Sequence, residues 1–401
     1  MSFSPIASDA RVLRQVSVVA VSAKKTTLSY GPQPPGADRH LQISDGAASL
    51  PQTPRGVALL AARRWRAAEL AAPAAQEALR LAGTELSTFG EGAAELSASS
   101  RAGQTGHRSA KRAQHGWDLV VANDARALPV AHRLAAGAPV WADLHEWAPE
   151  ERSHVFVWRA LVAPLMDHLC RTYLPRCAAT TTVAGSIADL YEQRYGVRPE
   201  VMRNAAPWAD LSPTPVDAST IRLVHSGGAV PGRNLEAMID VVHALGSGYS
   251  LDLYLMPAGD GGRYLRDLQR RAAGHPAITF HDPVSPQQLP ATLNQYDIGV
   301  FWIPPFNANA ARTLPNKLFD YVQARLAIAV GPTPEMARVV SEHRLGVVAQ
   351  DFSVASAAQS LRALTRADVA SYKDNAHAAS HALSFESEAA VADAILARLL
   401  T

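Results

Sequence analysis

The segment LPNKLFDYVQ, residues 314–323, places charged side chains at the start of a predicted helix. Pro315 suits the first helical turn, because its missing N–H would have no partner there. The free N–H groups of that turn carry a partial positive charge and Lys317 adds a full one, so together they suit a phosphate or a diphosphate. Asp320, one turn deeper, is placed to accept hydrogen bonds from a ligand diol such as that of a ribose. The alternative is an ordinary helix start with a surface Lys–Asp pair.

A glycine pair follows a second apolar strand, in VHSGGAVPGRNLE, residues 224–236. Gly227 and Gly228 would allow backbone N–H groups to approach a ligand, and Arg233 presents a forked donor that suits diphosphate oxygens. The spacing matches neither G-x-G-x-x-G nor G-x-x-x-x-G-K-[ST], so nicotinamide and P-loop chemistry are poorly supported. The alternative interpretation of this segment is a tight turn.

Three polar residues, Asp143, His145 and Glu146, stand just past an apolar strand in WADLHEWAPE, residues 141–150. A doubly wound sheet presents its active residues at such strand ends. A histidine there can donate to a sugar hydroxyl or exchange a proton near neutral pH, which makes these three the candidate catalytic residues. A purely structural histidine is the alternative.

Two further polar pairs belong to the first half of the chain. Asn123 and Asp124 follow a neighbouring predicted strand in VVANDARALP. In SPIASDARVLRQV, Asp9 is predicted to cap a helix, and Arg11 lies beside it.

Short apolar strands alternate with amphipathic helices along the chain, which predicts parallel sheets built from βαβ units and an α/β fold. The predicted strands are 16–22, 117–123, 138–144, 179–185, 221–227, 251–259, 277–283, 296–302, 326–331 and 346–351. The predicted helices include 234–245, 264–274 and 335–343. A Pro-, Asp- and Ser-rich stretch at 204–220 predicts a boundary, so the expected domains are 1–205 and 206–385, with a last helix over 386–401. The cleft between two such domains is the predicted site.

Composition narrows the class of protein. A chain of 401 residues is too long for one ordinary core, and a net charge of +2 does not argue for a nucleic-acid partner. Two cysteines, Cys170 and Cys177, without an evident secretory signal favour reduced thiols in a cytoplasmic protein. Their spacing is no metal signature, and no apolar run reaches the roughly 20 residues of a membrane helix. We expect no metal and no other cofactor.

Residues 45–112 differ from the rest, because they are Ala- and Arg-rich and then Ser- and Gly-rich. This composition predicts one or two helices followed by a mobile loop. Basic residues cluster at 63–66 and 108–112, which predicts peripheral contact with a membrane surface or with an acceptor. They are Arg63, Arg64 and Arg66 around Trp65, and Arg108, Lys111 and Arg112. A solvated helix face is the alternative.

The chain resembles the retaining, nucleotide-sugar-dependent glycosyltransferases of the GT-B fold, and within them the family 4-like branch that carries a P-N-K-L-F-[ED]-Y helix. The resemblance rests on the order and spacing of SDARVLRQV, YGPQPPGA, VVANDARALP, ADLHEW, VMRNAAP, VHSGGAVPGRNLE, YDIGVFW, LPNKLFDYVQARLAIAVG and PTPEMARVV. It covers most of the chain and is weakest over 45–112. It implies two Rossmann-like domains facing across a cleft, the first binding the acceptor and the second the nucleotide-diphosphate sugar. The last helix would cross back to the first domain.

The resemblance also implies roles for single residues. Arg233 and Lys317 would hold the diphosphate, and Asp320 would bind the ribose hydroxyls in place of the family's glutamate. His145 would reach the sugar from the opposite domain. The implied donor-binding set is Gly227, Gly228, Arg233, Asn309, Asn316, Lys317, Leu318 and Asp320. The catalytic candidates are Asp143, His145 and Glu146, and the acceptor-side candidates are Asp9, Arg11, Asn123 and Asp124.

The chemistry implied is transfer of a sugar, with retention, from a UDP- or GDP-sugar to a glycan, a lipid-linked sugar or a small molecule, as in bacterial polysaccharide biosynthesis. Cations and a helix end would neutralise the leaving phosphate without a divalent metal. The departing phosphate itself could then take the acceptor proton. Such an enzyme is expected in the cytoplasm, or peripherally at the inner face of the membrane.

The chain departs from the family pattern in three places. The family's E-x7-E pair would place a glutamate at position 312, where this chain has Arg312, and Asn307 or Asn309 are the candidates to replace it. Asp320 is one methylene shorter than the usual glutamate. The chain starts MSFSPIA, which predicts a shortened first strand. Two alternatives therefore stay open: a non-catalytic nucleotide-sugar-binding or partner protein, and a GT-B sugar-nucleotide epimerase.

Overall fold

The computed structural model of the chain describes residues 1–19, 23–85, 116–312 and 314–400. The chain divides into two compact units, one formed by Met1–Met202 with Ala389–Thr401 and the other by Arg203–Glu388. The sequence predicts boundaries after residues 205 and 385.

The described residues of the first unit form two parallel sheets. A two-stranded sheet pairs β1 with β2, and a four-stranded sheet has the order β3-β4-β5-β6. Their bounds are Thr26–Tyr30 (β1), Arg39–Ile43 (β2), Val120–Asn123 (β3), Val140–Leu144 (β4), Ala179–Thr182 (β5) and Glu200–Val201 (β6). Every residue of β4 is buried, as expected for a parallel strand with both faces covered.

The helices of the first unit surround these sheets. They are Ala10–Val18 (α1), Pro54–Ala61 (α2), Trp65–Ala68 (α3), 73–85 (α4), Leu128–Ala135 (α5), Ala163–Tyr173 (α6) and Gly185–Tyr195 (α7). The region predicted to form one or two helices thus contains three in its described part, α2 to α4. The mobile loop predicted after them, with Arg108, Lys111 and Arg112, lies outside the described residues.

One predicted strand, at 16–22, is wrong in its described part, because residues up to Val18 belong to helix α1. Asp9 decides the outcome: its carboxylate accepts hydrogen bonds from the N–H groups of Arg11 and Val12 and starts the helix. Residues 20–22 lie outside the described residues. The β1–β2 sheet is not predicted from the sequence, because its short, partly polar strands carry little of the apolar signal of the buried ones.

The first residues of the chain lie beside strands β1 and β3. The N–H of Ser2 donates to the Leu28 carbonyl at 3.0 Å, and the N–H of Asn123 donates to the Met1 carbonyl at 3.0 Å. These contacts form isolated bridges, not a continuous strand.

A buried ion pair fixes helix α1 to strand β4. Arg11 is 5% exposed and Asp143 is 0% exposed, and the guanidinium donates to both carboxylate oxygens at 2.9 and 2.6 Å. The remaining terminal nitrogen of Arg11 donates to the Met202 carbonyl at 2.6 Å, and the Thr181 hydroxyl donates to Asp143 at 2.7 Å. Both charges are therefore hydrogen-bonded on several sides, which is what makes a buried pair tolerable.

The second unit has one six-stranded parallel sheet in the order β12-β11-β10-β7-β8-β9. The strands are Ile221–Ala229 (β7), Tyr249–Pro257 (β8), Ile278–His281 (β9), Ile298–Phe301 (β10), Ala327–Val330 (β11) and Gly346–Val348 (β12). All six were predicted from the sequence, with ends that differ by a few residues.

Helices connect and cover these strands. They are Glu236–Leu245 (α8), Arg263–Arg271 (α9), Leu289–Leu293 (α10), Ala308–Arg312 (α11), Asn316–Gln323 (α12), Pro334–Glu342 (α13), Val354–Arg362 (α14), Arg366–Ala379 (α15) and Phe385–Leu400 (α16). Helix α16 begins in the second unit, and its residues from Ala389 belong to the first. There Ala392, Ile395 and Leu396 pack in one buried cluster with Trp141, Ala179 and Met202.

Helix α12 lies directly on strand β10. A Cβ added to Gly299 would stand 2.4 Å from Cγ of Tyr321, so the ring occupies the space that any other residue would need. The Tyr321 hydroxyl donates to the Val300 carbonyl at 3.1 Å. This close approach sets the position of the helix that begins with Asn316.

We predict that Gly299→Ala destabilises the protein by about 1–3 kcal/mol, because the added methyl group overlaps the buried Tyr321 ring. Gly259→Ala is the matched control, since nothing lies within 4 Å of its Cβ position, and it should change stability by less than about 0.5 kcal/mol. Urea unfolding of the two variants measures the difference. Equal stabilities would show that the helix does not depend on this approach.

Candidate functional site

The sheet of the second unit has a topological switch point between β7 and β10. These strands are neighbours, but the chain continues from β7 to β8 and β9 on one side and from β10 to β11 and β12 on the other. In open α/β sheets, ligands bind beyond the carboxyl ends of the strands at such a point.

A cavity of about 310 Å³ lies at this edge. Its volume falls within the roughly 300–1,000 Å³ that is usual for small-molecule sites. It is lined by residues after β7, β10 and β11 and at the start of α12, namely Arg233, Phe301, Ile303, Pro304, Pro305, Phe306, Ala310, Pro315, Asn316, Lys317, Thr333 and Met336. Arg233 and Lys317 are therefore two cationic side chains in the wall of a largely apolar cavity.

Two helices begin at the cavity. Pro315 precedes α12 and Thr333 precedes α13, and neither side chain caps its helix by a hydrogen bond. The Thr333 hydroxyl is buried and has no hydrogen-bond partner among the described residues. Uncapped N–H groups, the partial positive charge of two helix ends and a buried hydroxyl favour an anion such as phosphate.

Lys317 and Asp320 form an ion pair in this structure. The ammonium donates to the carboxylate at 2.9 Å, with side-chain exposures of 24% and 13%. The two residues therefore make the Lys–Asp contact that was the alternative to a ligand-binding role. Lys317 nevertheless lines the cavity, whereas Asp320 does not.

His225, in strand β7, lies beneath the cationic side of the cavity. It is 2% exposed, and its Nδ1 lies 3.0 Å from the Val300 carbonyl and 3.2 Å from the Tyr321 hydroxyl. Burial lowers the pKa of His225 to about 4, and the charges of Lys317 and Arg233 lower it further against the hydrogen bond to Val300. The ring is therefore neutral at pH 7, with Nδ1 as the donor to the carbonyl.

The other predicted donor-binding residues fall into two groups. Gly227 approaches the site closely, because a Cβ placed on it would lie 3.6 Å from Cε of Lys317, and Arg233 and Asn316 line the cavity. Gly228 follows Gly227 in β7. The structure does not bring the remaining two side chains into the cavity lining: Leu318 is a core residue at 1% exposure, and Asn309 is 3% exposed within α11.

Arg312, at the position where the resemblance would place a glutamate, turns back on its own helix. Its guanidinium donates to the Ala308 carbonyl at 3.0 Å. Arg312 is not part of the cavity lining.

In the first unit, three of the predicted site residues, Asn123, Asp124 and Asp143, meet around His145, whereas Asp9 caps helix α1. The Nε2 of His145 lies 3.3 Å from Asp143 and 3.2 Å from the Asn123 amide oxygen, and its Nδ1 lies 3.7 Å from Asp124. Burial alone would lower the pKa of His145, but the two carboxylates outweigh it and raise that pKa to about 9. The ring is therefore an imidazolium at pH 7, a hydrogen-bond donor at both nitrogens and not a general base.

Asp143 and Glu146 have opposite environments. Burial would raise the pKa of Asp143, but the charge of Arg11 and hydrogen bonds from His145 and Arg11 hold it well below its usual range. With 0% exposure, Asp143 holds Arg11 and His145 in place and is not open to a ligand. Burial first, and then the charges of Glu151 and Asp124, raise the pKa of Glu146 to about 8, so this carboxyl is protonated at pH 7.

Asp124 has a strained backbone, with φ of 68° and ψ of 157°. This region is populated almost only by glycine, and a side chain there costs about 1–3 kcal/mol. Its carboxylate accepts the N–H of His145 at 3.3 Å. The strain is thus located at the residue that sets the charge and orientation of His145.

Sequence reasoning missed several residues of the second-unit site. His225 is a polar residue inside an otherwise apolar strand and just before a glycine pair, which is a signal that could have been used. Thr333 and the apolar wall from Ile303 to Phe306 carry no such signal. These residues line the cavity because strands β7, β10 and β11 end at the same edge of the sheet.

Among the described residues, no group of three or more His, Cys, Asp or Glu side chains is arranged to hold a metal ion. Within the same ranges no helix has the length and apolar character needed to span a membrane. Cys170 and Cys177 are both free.

Comparison with known proteins places the fold. No protein-family model matches the chain, and a sequence search among curated proteins also finds no match. Solved structures do match. HepE of Anabaena in complex with UDP has a TM-score of 0.65 at 12% identity, over 99% of this chain and 98% of HepE. HepE with UDP-glucose has a TM-score of 0.56 at 14% identity, over 73% and 81% of the two chains. Trehalose 6-phosphate synthase of Burkholderia multivorans has a TM-score of 0.60 at 12% identity, over 99% and 97%.

These similarities show that the chain has the GT-B fold, an α/β architecture of two Rossmann-like units with parallel sheets. The fold predicted from the resemblance is confirmed. Membership of the family 4-like branch with the P-N-K-L-F-[ED]-Y helix stays a prediction.

We predict that His225 makes the protein sensitive to acid. Its pKa is lower in the folded chain than in the unfolded one, so its contribution to stability is present above pH 6.5 and is lost as the pH falls towards 4. His225→Asn keeps a donor for the Val300 carbonyl but cannot titrate. Between pH 7 and pH 4 the wild type should lose roughly 2–3 kcal/mol more than the variant in urea unfolding. If the free energies of unfolding of the wild type and the variant fell equally between pH 7 and pH 4, His225 would not be buried as a neutral ring.

We predict that the Asp124 carboxylate raises the pKa of His145, and that the backbone conformation of Asp124 lowers the stability of the protein. Asp124→Gly and Asp124→Ala both remove the carboxylate, so each should lower the His145 pKa in an NMR titration by about one unit or more. The raised pKa contributes stability below pH 6.5 that is lost as the pH rises through 9, and both variants should flatten that loss.

Only alanine retains a Cβ at the positive φ. The alanine variant should therefore be about 1–3 kcal/mol less stable than the glycine variant. Equal stability of the two would show that residue 124 is not strained.

Proposed function

We propose that this protein is a glycosyltransferase that binds a nucleotide-diphosphate sugar in the cavity of its second unit. The observation that carries the proposal is the convergence of Arg233, Lys317 and the N-termini of α12 and α13 on one cavity at the switch point. That convergence supplies positive charge where the leaving diphosphate of a sugar donor would carry its negative charge. The GT-B fold agrees with it, because HepE was crystallised with UDP and with UDP-glucose.

In the proposed complex, the Lys317–Asp320 pair opens. The ammonium turns to the diphosphate, and Asp320 accepts hydrogen bonds from the ribose hydroxyls. Both charges exchange one partner for another, so neither is left unpaired. Arg233 supplies a second, forked donor to the phosphate oxygens.

The proposed reaction proceeds with retention and without a metal. The bond between the anomeric carbon and the β-phosphate oxygen breaks, and the acceptor oxygen forms its bond on the same face. The departing phosphate takes the acceptor proton, so no strong protein base is needed. Arg233, Lys317 and the helix N–H groups offset the charge that grows on the diphosphate.

His145 would act in this reaction as a hydrogen-bond donor to a sugar hydroxyl. Its raised pKa supports that role and opposes a role as general base. We propose a UDP-sugar as the donor, with a GDP-sugar as the alternative, and a glycan, lipid-linked sugar or small metabolite as the acceptor bound by the first unit. Such chemistry suits polysaccharide biosynthesis in a bacterial cytoplasm.

A second candidate is a protein that binds a nucleotide sugar without transferring it. Arg312 favours this candidate, because it stands where the family has a glutamate and is engaged with its own helix. The two candidates share the binding site and differ only in turnover.

We predict that UDP or GDP raises the melting temperature of the protein in the presence of EDTA, and that Lys317→Ala weakens binding about 10- to 100-fold. The loss corresponds to one charge-assisted hydrogen bond to phosphate. A thermal-shift screen with UDP, GDP, ADP, CMP and dTDP, followed by calorimetric titration, measures both. Lys24→Ala, an exposed lysine of the first unit, is the control and should bind as the wild type does.

Turnover separates the two candidates. Incubation of the protein with the sugar form of the nucleotide that binds, followed by proton NMR, should show slow hydrolysis that releases the sugar first as the anomer of the donor. Tight binding with no hydrolysis and no transfer to any acceptor would favour the non-catalytic protein. The absence of a shift with every nucleotide would remove both candidates.

A further inference from the structure

The first unit exposes a run of three consecutive apolar residues. Val155, Phe156 and Val157 are exposed by 40%, 72% and 59%. Single exposed apolar residues are common on protein surfaces, but a contiguous group marks a surface that binds something. The run directly precedes the buried Trp158, so the backbone anchors it to the core while its own side chains face outward.

A neighbouring helix extends this apolar surface. Helix α2 packs against residues 158–162, and its Val57 is 40% exposed. Helix α3 packs on α6, which continues from the same segment. The exposed residues of α2 and α3 and those of the 155–157 run therefore belong to one region of the first unit.

The exposed charges of this region are mainly arginines, while Glu151 lies 3.9 Å from Arg152 and Glu69 caps the end of helix α3. Residues 54–68 and 152–162 contain six arginines and no aspartate or glutamate. All six are exposed, namely Arg55, Arg63, Arg64, Arg66, Arg152 and Arg159. The guanidinium of Arg159 lies 5.8 Å from the centre of the Phe156 ring, so charge and apolar surface are in direct contact.

We propose that this surface, the Phe156 face, binds an anionic lipid bilayer. The Phe156 face comprises Val57, residues 155–157 and the six arginines. An apolar tip beside exposed arginines matches a continuous layer of lipid phosphates over hydrocarbon, in which the Phe156 ring and the valines enter the interface and the guanidinium groups bind the headgroups. A protein partner would have to present an acidic surface next to an apolar pocket. The proposal is independent of the function proposed above.

Vesicle flotation with the full chain tests the proposal. Binding is compared for phosphatidylcholine vesicles and for phosphatidylcholine vesicles that contain phosphatidylglycerol. The protein should float only with the anionic vesicles, and added salt should reduce binding because it screens the arginines.

Two variants with matched controls locate the contact. Phe156→Ser/Val157→Ser should weaken the partition at least about tenfold, whereas Met256→Ser, at an exposed apolar residue of the second unit, should not. Arg63→Gln/Arg64→Gln should weaken it roughly 25-fold, whereas Arg263→Gln/Arg266→Gln on the exposed side of α9 should have little effect. All four positions of the face are exposed, so circular dichroism and melting should be unchanged.

Three results would overturn the proposal. One is failure to float with anionic vesicles at low salt, and another is equal weakening by the control variants. The third is a dimer in light scattering that Phe156→Ser/Val157→Ser converts to a monomer, because a second copy of the chain would then cover the face.

Discussion

The second unit depends on the contact between helix α12 and strand β10, where the Tyr321 ring of the helix packs directly on the backbone of Gly299. Gly299 leaves room for the Tyr321 ring, and the ring fixes the helix at the carboxyl edge of the sheet. From that position the first turn places Asn316 and Lys317 in the cavity wall, with Lys317 close to Gly227 of β7. The candidate site is therefore a consequence of how one helix packs on one strand.

Histidine has a different protonation state in each of the two units, for reasons that lie in its surroundings. His225 is buried among cations and stays neutral, whereas His145 stands between carboxylates and stays protonated. A neutral ring under an anion site adds no competing charge of its own, and a protonated ring can only donate. The protonation state of each histidine thus depends on neighbours such as Lys317 and Asp124. The backbone of Asp124, which helps to keep His145 protonated, is strained.

The sequence predicted the second unit better than the first. Its central strands β10 and β11 are short apolar runs that are almost fully buried, and LPNKLFDYVQ carries charge at a helix start, so both signals are local. Strand 16–22 was wrong because an apolar run does not distinguish a helix from a strand when Asp9 supplies a cap. The burial of Asp143 depends on Arg11, which lies 132 residues away. No local pattern could reveal that pair, or the contribution of Thr333 to the cavity.

The most direct test of the account is an NMR titration of His225 with and without saturating UDP. The charges of Lys317 and Arg233 contribute to the low pKa of this ring. A diphosphate bound between them would offset that field, so we expect UDP to raise the His225 pKa, and we expect Lys317→Ala to need about 10- to 100-fold more UDP to reach its own rise. UDP that binds and leaves the His225 pKa unchanged would place the nucleotide elsewhere and contradict the account.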